Sequence, residues 1–371
     1  MHAEQRQRAQ AYLKAQGLDR ALFASPASVT WLTGFAAPVQ LGPHPFGGGP
    51  ALVWYAGGEW TLIVLDGYAA AAQASSVAVV SYLGYRIDAP IDGPGQLLAA
   101  LRKVAGAGAA GRIGVEERAL PLFLRAALPE QAALVPIDGA LVPLRMRKTA
   151  EELVKLRQNF ALNDLGQAAA RAAVRVGATE LDVWAAMQGE IQRAAGQRVA
   201  LGNDCTVGRR GHSGGWPLDV TIEPGDSFVL DLSTQLHGYW SDSCATYYAG
   251  TPSQRQIAMH HTVSEALELA VSLLRPGAIS GEIDRQVREF MRKAGYPVYP
   301  HHSGHGIGVS PHEEPRLVPY NALRIEPDMV IMLEPGIYFP EETAIRLEHA
   351  VLVTDSGVEI LTKHDKRLPV S

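Results

Sequence analysis

The chain opens with short apolar runs at 21–24, 51–54, 60–64 and 77–80, set between stretches of helix-like spacing. Such runs, bounded by polar or glycine-containing segments, read as buried strands, and strands alternating with helical segments predict an α/β layer domain. Residues 120–128 predict one more helix, with Pro121 tolerated in its first turn. Residues 136–143 read as a connector, after which the texture changes. The boundary falls at residue 146, giving domains 1–146 and 147–371.

Past it, Thr149 and Glu152 form a capping box, because the hydroxyl can accept from one orphan N–H while the glutamate reaches back to another. The helix that starts there should bury Leu153, Leu156, Phe160 and Leu165 against a sheet and expose Lys155, Arg157 and Asp164. Farther on, Arg175-Val-Gly177-Ala178 introduces a helical pattern ending at Gly196, and Arg275-Pro-Gly277-Ala278 introduces another ending at Gly295. Each block follows a long helical pattern and precedes strand-like sequence. A duplicated α-plus-β unit leaves this trace.

Composition narrows the partners. With 47% hydrophobic residues, 19% charged and a formal net charge of -5, the chain carries no basic footprint for nucleic acid or an acidic membrane surface. No apolar run approaches the roughly 18 residues of a membrane-spanning helix. Residues 1–8 are polar and lack the progression of a secretory signal, so no export is expected. Two cysteines, Cys205 and Cys244, make neither a disulfide framework nor a thiolate zinc site, and a reduced, cytoplasmic setting is the simplest expectation. A small molecule or peptide is the expected partner.

Candidate chemistry lies in the second half. Residues 227–232 read as a strand, 233–238 as a turn and 239–242 as a partner strand, a hairpin that brings Asp231 and Asp242 together in apolar surroundings. Buried carboxylates must be protonated, paired or bound to metal. Alone, the two aspartates fit an N-cap or a salt bridge as well as a metal. His301, His302 and His305 follow in a glycine-rich segment, with His312 beyond. Glu334 ends an apolar strand just before Pro335 and Gly336. In a further strand the period of two sends Arg346 and Glu348 to one face, where a plain Arg–Glu pair is the alternative. Four carboxylates and one imidazole suit two Mn, Co, Fe or Zn ions better than one tetrahedral zinc. Two ions about 3.5 to 4 Å apart can share a hydroxide and attack a carbonyl.

The order Asp231, Asp242, His305 in Gly-His-Gly, Glu334-Pro-Gly and Arg346-x-Glu348 resembles the pita-bread metallopeptidases. Within them it is most similar to the Xaa-Pro dipeptidases (prolidases) and aminopeptidases P. Ser25-Pro-Ala-Ser-Val-Thr-Trp-Leu-Thr-Gly34-Phe resembles a motif of their creatinase-like N-terminal domain, so the likeness covers essentially the whole chain. It implies a creatinase-like α/β domain at 1–146, followed by a duplicated pita-bread α+β catalytic domain at 147–371. It further implies that Asp231 chelates one ion, that His305 and Glu334 hold the other, and that Asp242 and Glu348 bridge them. Manganese is expected first, with cobalt or zinc as alternatives. Glu334 would also take a proton from the attacking water. His312 would donate to the oxyanion or leaving nitrogen, and His301 would line the proline pocket. Arg346 would meet a substrate carboxylate or orient Glu348, and Tyr338 would support the ligands from behind. The implied substrates are short peptides with proline in second position, and the implied assembly is a homodimer.

The chain departs from the family in two places. Where relatives write Thr-Arg-Thr after the second aspartate, this chain has Cys244-Ala-Thr246, leaving Thr246 as the remaining supporting hydroxyl. In the segment ahead of Asp231, His212 is the stand-in for a family histidine, a solvent-facing loop histidine being equally compatible, while Arg209 and Arg210 could meet a substrate carboxylate. His260 and His261 fall in a helical pattern and read as surface residues. The loop 42–50 lacks the lysine and threonine of a phosphate-binding loop and reads as a mobile loop reaching a partner subunit. Two rival functions stay open: a metal-dependent amidase on a small non-peptide substrate, and an inactive pita-bread module that binds a peptide or protein.

Overall fold

The structure is a computed structural model that describes residues 2–38, 44, 46–106, 111–202, 204–211 and 215–368. The chain divides into two compact units, Met1–Arg145 and Met146–Ser371.

The first unit is built on a six-stranded mixed sheet, in the order β4-β3-β2-β1-β5-β6. Its strands are β1 (Arg20–Phe23), β2 (Leu52–Ala56), β3 (Glu59–Leu65), β4 (Ala78–Tyr82), β5 (Arg112–Val115) and β6 (Ala133–Pro136). Leu22, Trp54, Ile63, Leu97, Leu101 and Val115 form its core. The expected strand–helix alternation fails between β2 and β3, which form a hairpin closed by Gly57 and Gly58 at φ 56 and 98°. Two consecutive left-handed residues match the right-handed twist of the strands, and glycine takes them without a Cβ penalty. Residues 120–128 hold a short 3-10 turn, Leu122–Ala127, in place of a full helix. β5 and β6 are too short for periodicity to reveal. In the motif that begins at Ser25, the serine caps the helix Pro26–Thr33, and Glu116 accepts from the Ala24 and Ser25 amides at 2.8 Å each. Of the loop 42–50, residues 42, 43 and 45 lie outside the described residues.

The second unit repeats itself. Its first half packs the helices Ala150–Ala173 and Glu180–Ala195 with β7 (Ala200–Gly202), β8 (Cys205–Val207), β9 (Ser227–Leu236) and β10 (Tyr239–Tyr248). Its second half packs the helices Gln254–Leu273 and Ser280–Lys293 with β11 (Gly304–Gly306), β12 (Glu313–Leu317), β13 (Val330–Leu333), β16 (His349–Val353) and β17 (Val358–Ile360). The hairpin β14 (Gly336–Phe339) and β15 (Thr343–Arg346) completes it. The two glycine-containing links between helices have the same wiring. Gly177 at φ 84° donates to Ile222 O and Gly277 at φ 86° to Ile325 O; the Ile222 and Ile325 amides return to Ala178 O and Ala278 O, each at 2.8 Å. Equal backbone geometry at equal positions is what a duplicated unit predicts.

The capping box forms as expected, with Thr149 and Glu152 reciprocally bonded. The helix it starts buries Leu156 and Phe160 as expected and leaves Leu153 half-buried, but Leu165 is exposed, and Asn159, Asn163 and Gln167 are buried as well. Spaced four apart, they lie on one stripe. Their side-chain amides donate to strand carbonyls, Asn159 to Thr234 O at 3.1 Å, Asn163 to Leu232 O at 2.7 Å and Gln167 to Ser243 O at 2.9 Å. Burial of these amide N–H groups is tolerated because each finds an acceptor, while Asn163 Oδ1 is left without a partner. Asp164, expected at the surface, accepts from the Lys363 and His364 amides.

Candidate metal centre

The β9–β10 hairpin sets Cys244 opposite Asp231 and Asp242 opposite Ser233. The two aspartates are therefore diagonal neighbours on one face of the ladder, close enough for their side chains to meet. Both are buried. The turn between the strands is shorter than expected, only His237 and Gly238 at φ 53 and 77°. From the second half come His305 on β11, Glu334 directly after β13, and Glu348 in the break between β15 and β16.

These side chains converge. The donor atoms of Asp242, His305 and Glu348 lie within 4.8 Å of one another. His305 Nε2 is 3.6 Å from Glu334 Oε1 and 3.9 Å from Asp242 Oδ2. Asp231 touches Asp242, and its charge is felt by Glu348. Burial, then repulsion from Asp231, pushes Asp242 well above the usual carboxylate range. Glu348 is raised by burial and then by Asp242. Glu334 goes the other way: burial works against it, but the His302 contact and the His305 imidazole win and hold its carboxyl down at about 2. His305 is pushed down to about 3, chiefly by burial, and so is a neutral imidazole with a lone pair to give.

Glu348 Oε2 is buried with no hydrogen-bond partner. An orphaned carboxylate oxygen among mutually repelling acids is costly, and a divalent cation relieves both problems. Hard oxygen donors with one imidazole are also the set that Mn, Co and Zn accept. The residues therefore fit metal.

The histidines surround this group. His301 Nε2 is 2.8 Å from the Tyr338 hydroxyl, and its ring stacks on Tyr299 with centroids 4.9 Å apart. His312, exposed, lies with its ring centroid 4.1 Å from that of His305. His302, to which the sequence reading gives no role, places Nε2 2.7 Å from Glu334 Oε1. The Gly-His-Gly motif that singles out His305 does not extend to it, and β11 begins only at Gly304.

Four expectations are corrected. Arg346 and Glu348 do not share one strand, because β15 ends at Arg346. Arg346 turns to Asp231 and Asp204, with Nη2 at 2.5 and 2.7 Å, and to the Tyr338 hydroxyl at 3.3 Å, so protein partners take the place of a substrate carboxylate or Glu348. Arg210 pairs with buried Glu180 at 2.6 Å and Arg209 with Asp226 at 3.0 Å, both structural contacts. His260 is buried between the Tyr248 hydroxyl at 3.0 Å and Lys366 O at 2.9 Å, not at the surface; His261 is exposed. Thr246 Oγ1 donates to Arg346 O and accepts from its amide, both at 3.0 Å, which fixes the β15 backbone. His212 lies outside the described residues.

Residues 155–355 match the sequence profile of metallopeptidase family M24, and residues 5–147 that of the creatinase/prolidase N-terminal domain. An Xaa-Pro dipeptidase of Pyrococcus furiosus is 33% identical over 237 residues, 62% of this chain and 67% of that protein. The crystal structure of the prolidase from Pyrococcus horikoshii OT3 superposes with a TM-score of 0.83 at 25% identity, covering 99% of this chain and all of that one, 100%. The fold also matches an X-Pro aminopeptidase from Thermotoga maritima, with a TM-score of 0.79 at 24% identity over 96% of this chain and 99% of that one. With its N-terminal creatinase-like domain and its acid-rich centre, the chain belongs to metallopeptidase family M24.

Proposed function

We propose that the chain is an Xaa-Pro peptidase working with two divalent metal ions, residues 147–371 carrying catalysis and residues 1–146 forming the creatinase-like domain. The convergence of Asp231, Asp242, His305, Glu334 and Glu348 carries this reading. The full-length likeness to a prolidase supports it. In this reading Asp231 would hold one ion and His305 and Glu334 the other, with Asp242 and Glu348 available to both. Manganese is the first choice, with cobalt or zinc also compatible with the donors. When bound, such a pair activates water and polarises the scissile carbonyl.

The remaining steps belong to side chains. Glu334, the carboxylate held in its charged form, accepts the proton of the attacking water. The imide nitrogen before proline has no N–H of its own and must gain a proton as the C–N bond breaks. His312 stands at the exposed side of His305, where one imidazole N–H can donate to that nitrogen or to the developing oxyanion. His301, held by Tyr338 and Tyr299, presents a rigid aromatic wall for the proline ring. A homodimer in a reducing, cytoplasmic setting completes the reading, in keeping with two buried, unpaired cysteines.

The test is a pair of assays on metal-stripped protein resupplied with Mn or Co, comparing an Xaa-Pro dipeptide with an Xaa-Pro tripeptide. Cleavage of the dipeptide alone marks a dipeptidase, and cleavage of the tripeptide an aminopeptidase. Cleavage of neither overturns the proposal. A monomer in light scattering at micromolar concentration removes the dimer.

A further inference from the structure

Asp204 belongs to no donor motif, yet it is wired into the centre. Its Oδ2 accepts from Arg346 Nη2 at 2.7 Å, and the same Nη2 donates to Asp231 Oδ2 at 2.5 Å. The main chains are tied as well, the Asp231 amide donating to Asp204 O at 2.9 Å. Arg346 cannot swing away from this arrangement, because it is buried, with Nη1 3.3 Å from the Tyr338 hydroxyl and Nε 3.4 Å from Cys244 Sγ. Asp204 is the more open of the two acids, its side chain 25% exposed against 11% for Asp231.

The charges explain why this matters. Two divalent ions bring four positive charges, which match the four carboxylates among the donors. Arg346 adds a fifth positive charge, lodged against Asp231 where water is excluded and Coulomb forces are weakly screened. There it competes with a metal ion for the same carboxylate and repels the ion. A buried guanidinium needs its own countercharge. Ser233 and Cys244, which flank Asp231 in the hairpin, carry none, and Ala245 follows Cys244.

We propose that Asp204 is a positioning residue of the metal centre: by sharing Arg346 Nη2 it neutralises the guanidinium and leaves Asp231 available as a metal donor. This rests on the two-metal reading above. The effect falls first on the ion held by Asp231, because Arg346 hydrogen-bonds Asp231 directly, whereas Glu348 feels the guanidinium through its field. Losing the Asp204 charge weakens the ion held by Asp231 and leaves the ion held by His305 and Glu334 alone.

Asp204→Asn tests this, since it keeps the size and one acceptor oxygen while removing the charge. Metal-stripped protein is titrated with Mn(II) and followed by calorimetry and electron paramagnetic resonance. Wild type is expected to bind two equivalents. In Asp204→Asn one equivalent weakens by roughly ten- to a hundredfold, as for other groups that orient metal ligands, and Asp204→Glu recovers part of the loss. Identical isotherms for Asp204→Asn and wild type overturn the proposal. So does equal weakening of both equivalents, which marks general loosening. A double-mutant cycle gives a second measure: in an Arg346→Gln background, Asp204→Asn should have no further effect, and additive losses refute the coupling. A wild-type protein that binds fewer than two ions fails the two-metal reading instead.

Discussion

Replacing Glu348 with glutamine is expected to stabilise the metal-free protein and to weaken sharply its response to metal. Glu348 is fully enclosed, its Oε2 has no partner, and Asp242 repels it. An unsatisfied buried acceptor costs about 1–3 kcal/mol, and glutamine keeps the shape while supplying an N–H that Asp242 can accept. For a unit the size of Met146–Ser371 each kcal/mol moves the melting temperature by about 2–4 °C, so the metal-free variant should melt roughly 2–12 °C above wild type. The sign has a pH signature. A carboxyl whose folded value is raised above its unfolded one stabilises fully below the unfolded value, about 4.5, and loses that contribution as pH rises through the folded value. The gap between variant and wild type should therefore widen from acid to neutral pH. With Mn at a hundred times its Kd, wild type gains about 2.7 kcal/mol per site, whereas the variant, short of one bridging charge, gains far less and turns over no substrate. Differential scanning calorimetry with and without chelator reads both effects. A metal-free Glu348→Gln that melts below wild type, or an equal shift with Mn in both proteins, would falsify the reasoning.

Lys148 and Glu313 form a fully buried ion pair at 2.9 Å; Lys148→Met removes the cation beside the buried carboxylate and should cost about 3–5 kcal/mol in urea unfolding, and a loss under 1 kcal/mol would show the pair to be dispensable. Gly304→Ala should lower stability by about 1–3 kcal/mol and activity with it, because a Cβ there would lie 1.9 Å from Met332 O and force β11 off β13; normal kinetics would refute this account of how His305 is placed. His260, buried and lowered to about 4, contributes stability that is present above about 6.5 and lost as pH falls toward 4. Acid unfolding of wild type should therefore exceed that of His260→Gln by up to about 3 kcal/mol, and parallel pH curves for the two proteins would count against it.

Local chemistry was the most legible part of this chain. The Thr149–Glu152 box and the two glycine links at Gly177 and Gly277 are specified by residues within a few positions of one another, so residue type and spacing suffice. The hairpin bearing Asp231 and Asp242 was legible in kind but not in length. Ser233, Thr234 and Gln235 look like turn residues, yet they continue β9, because Thr234 Oγ1 meets Asn159 and Ser241 at 2.6 Å. Those partners are supplied by a distant helix and the opposite strand, and no local pattern shows them. The same helix misled in the other direction: Leu165 read as core because it is apolar, while the amides of Asn159, Asn163 and Gln167 join Leu156 and Phe160 in the buried face.

The metal donors were readable because each sits where burying a charge has no cheap local remedy. Asp231 and Glu334 interrupt or end apolar strands, and His305 lies between glycines, so each announces a partner without naming it. The convergence itself depends on the two halves, the first sending the β9–β10 hairpin and the second the ends of several strands toward a shared centre. Strand periodicity could not extend this to Arg346 and Glu348, because the chain breaks after Arg346 and the two side chains part. Asp204 and His302 were illegible for a deeper reason. Asp204 meets Arg346 across 142 positions, and His302 meets Glu334 beyond the end of any strand. A sequence marks charges that need compensation, but which distant charge supplies it is decided only when the chain Met146–Ser371 has folded. Residues that adjust the electrostatics of a centre, unlike those that ligate it, therefore emerge only from the folded chain.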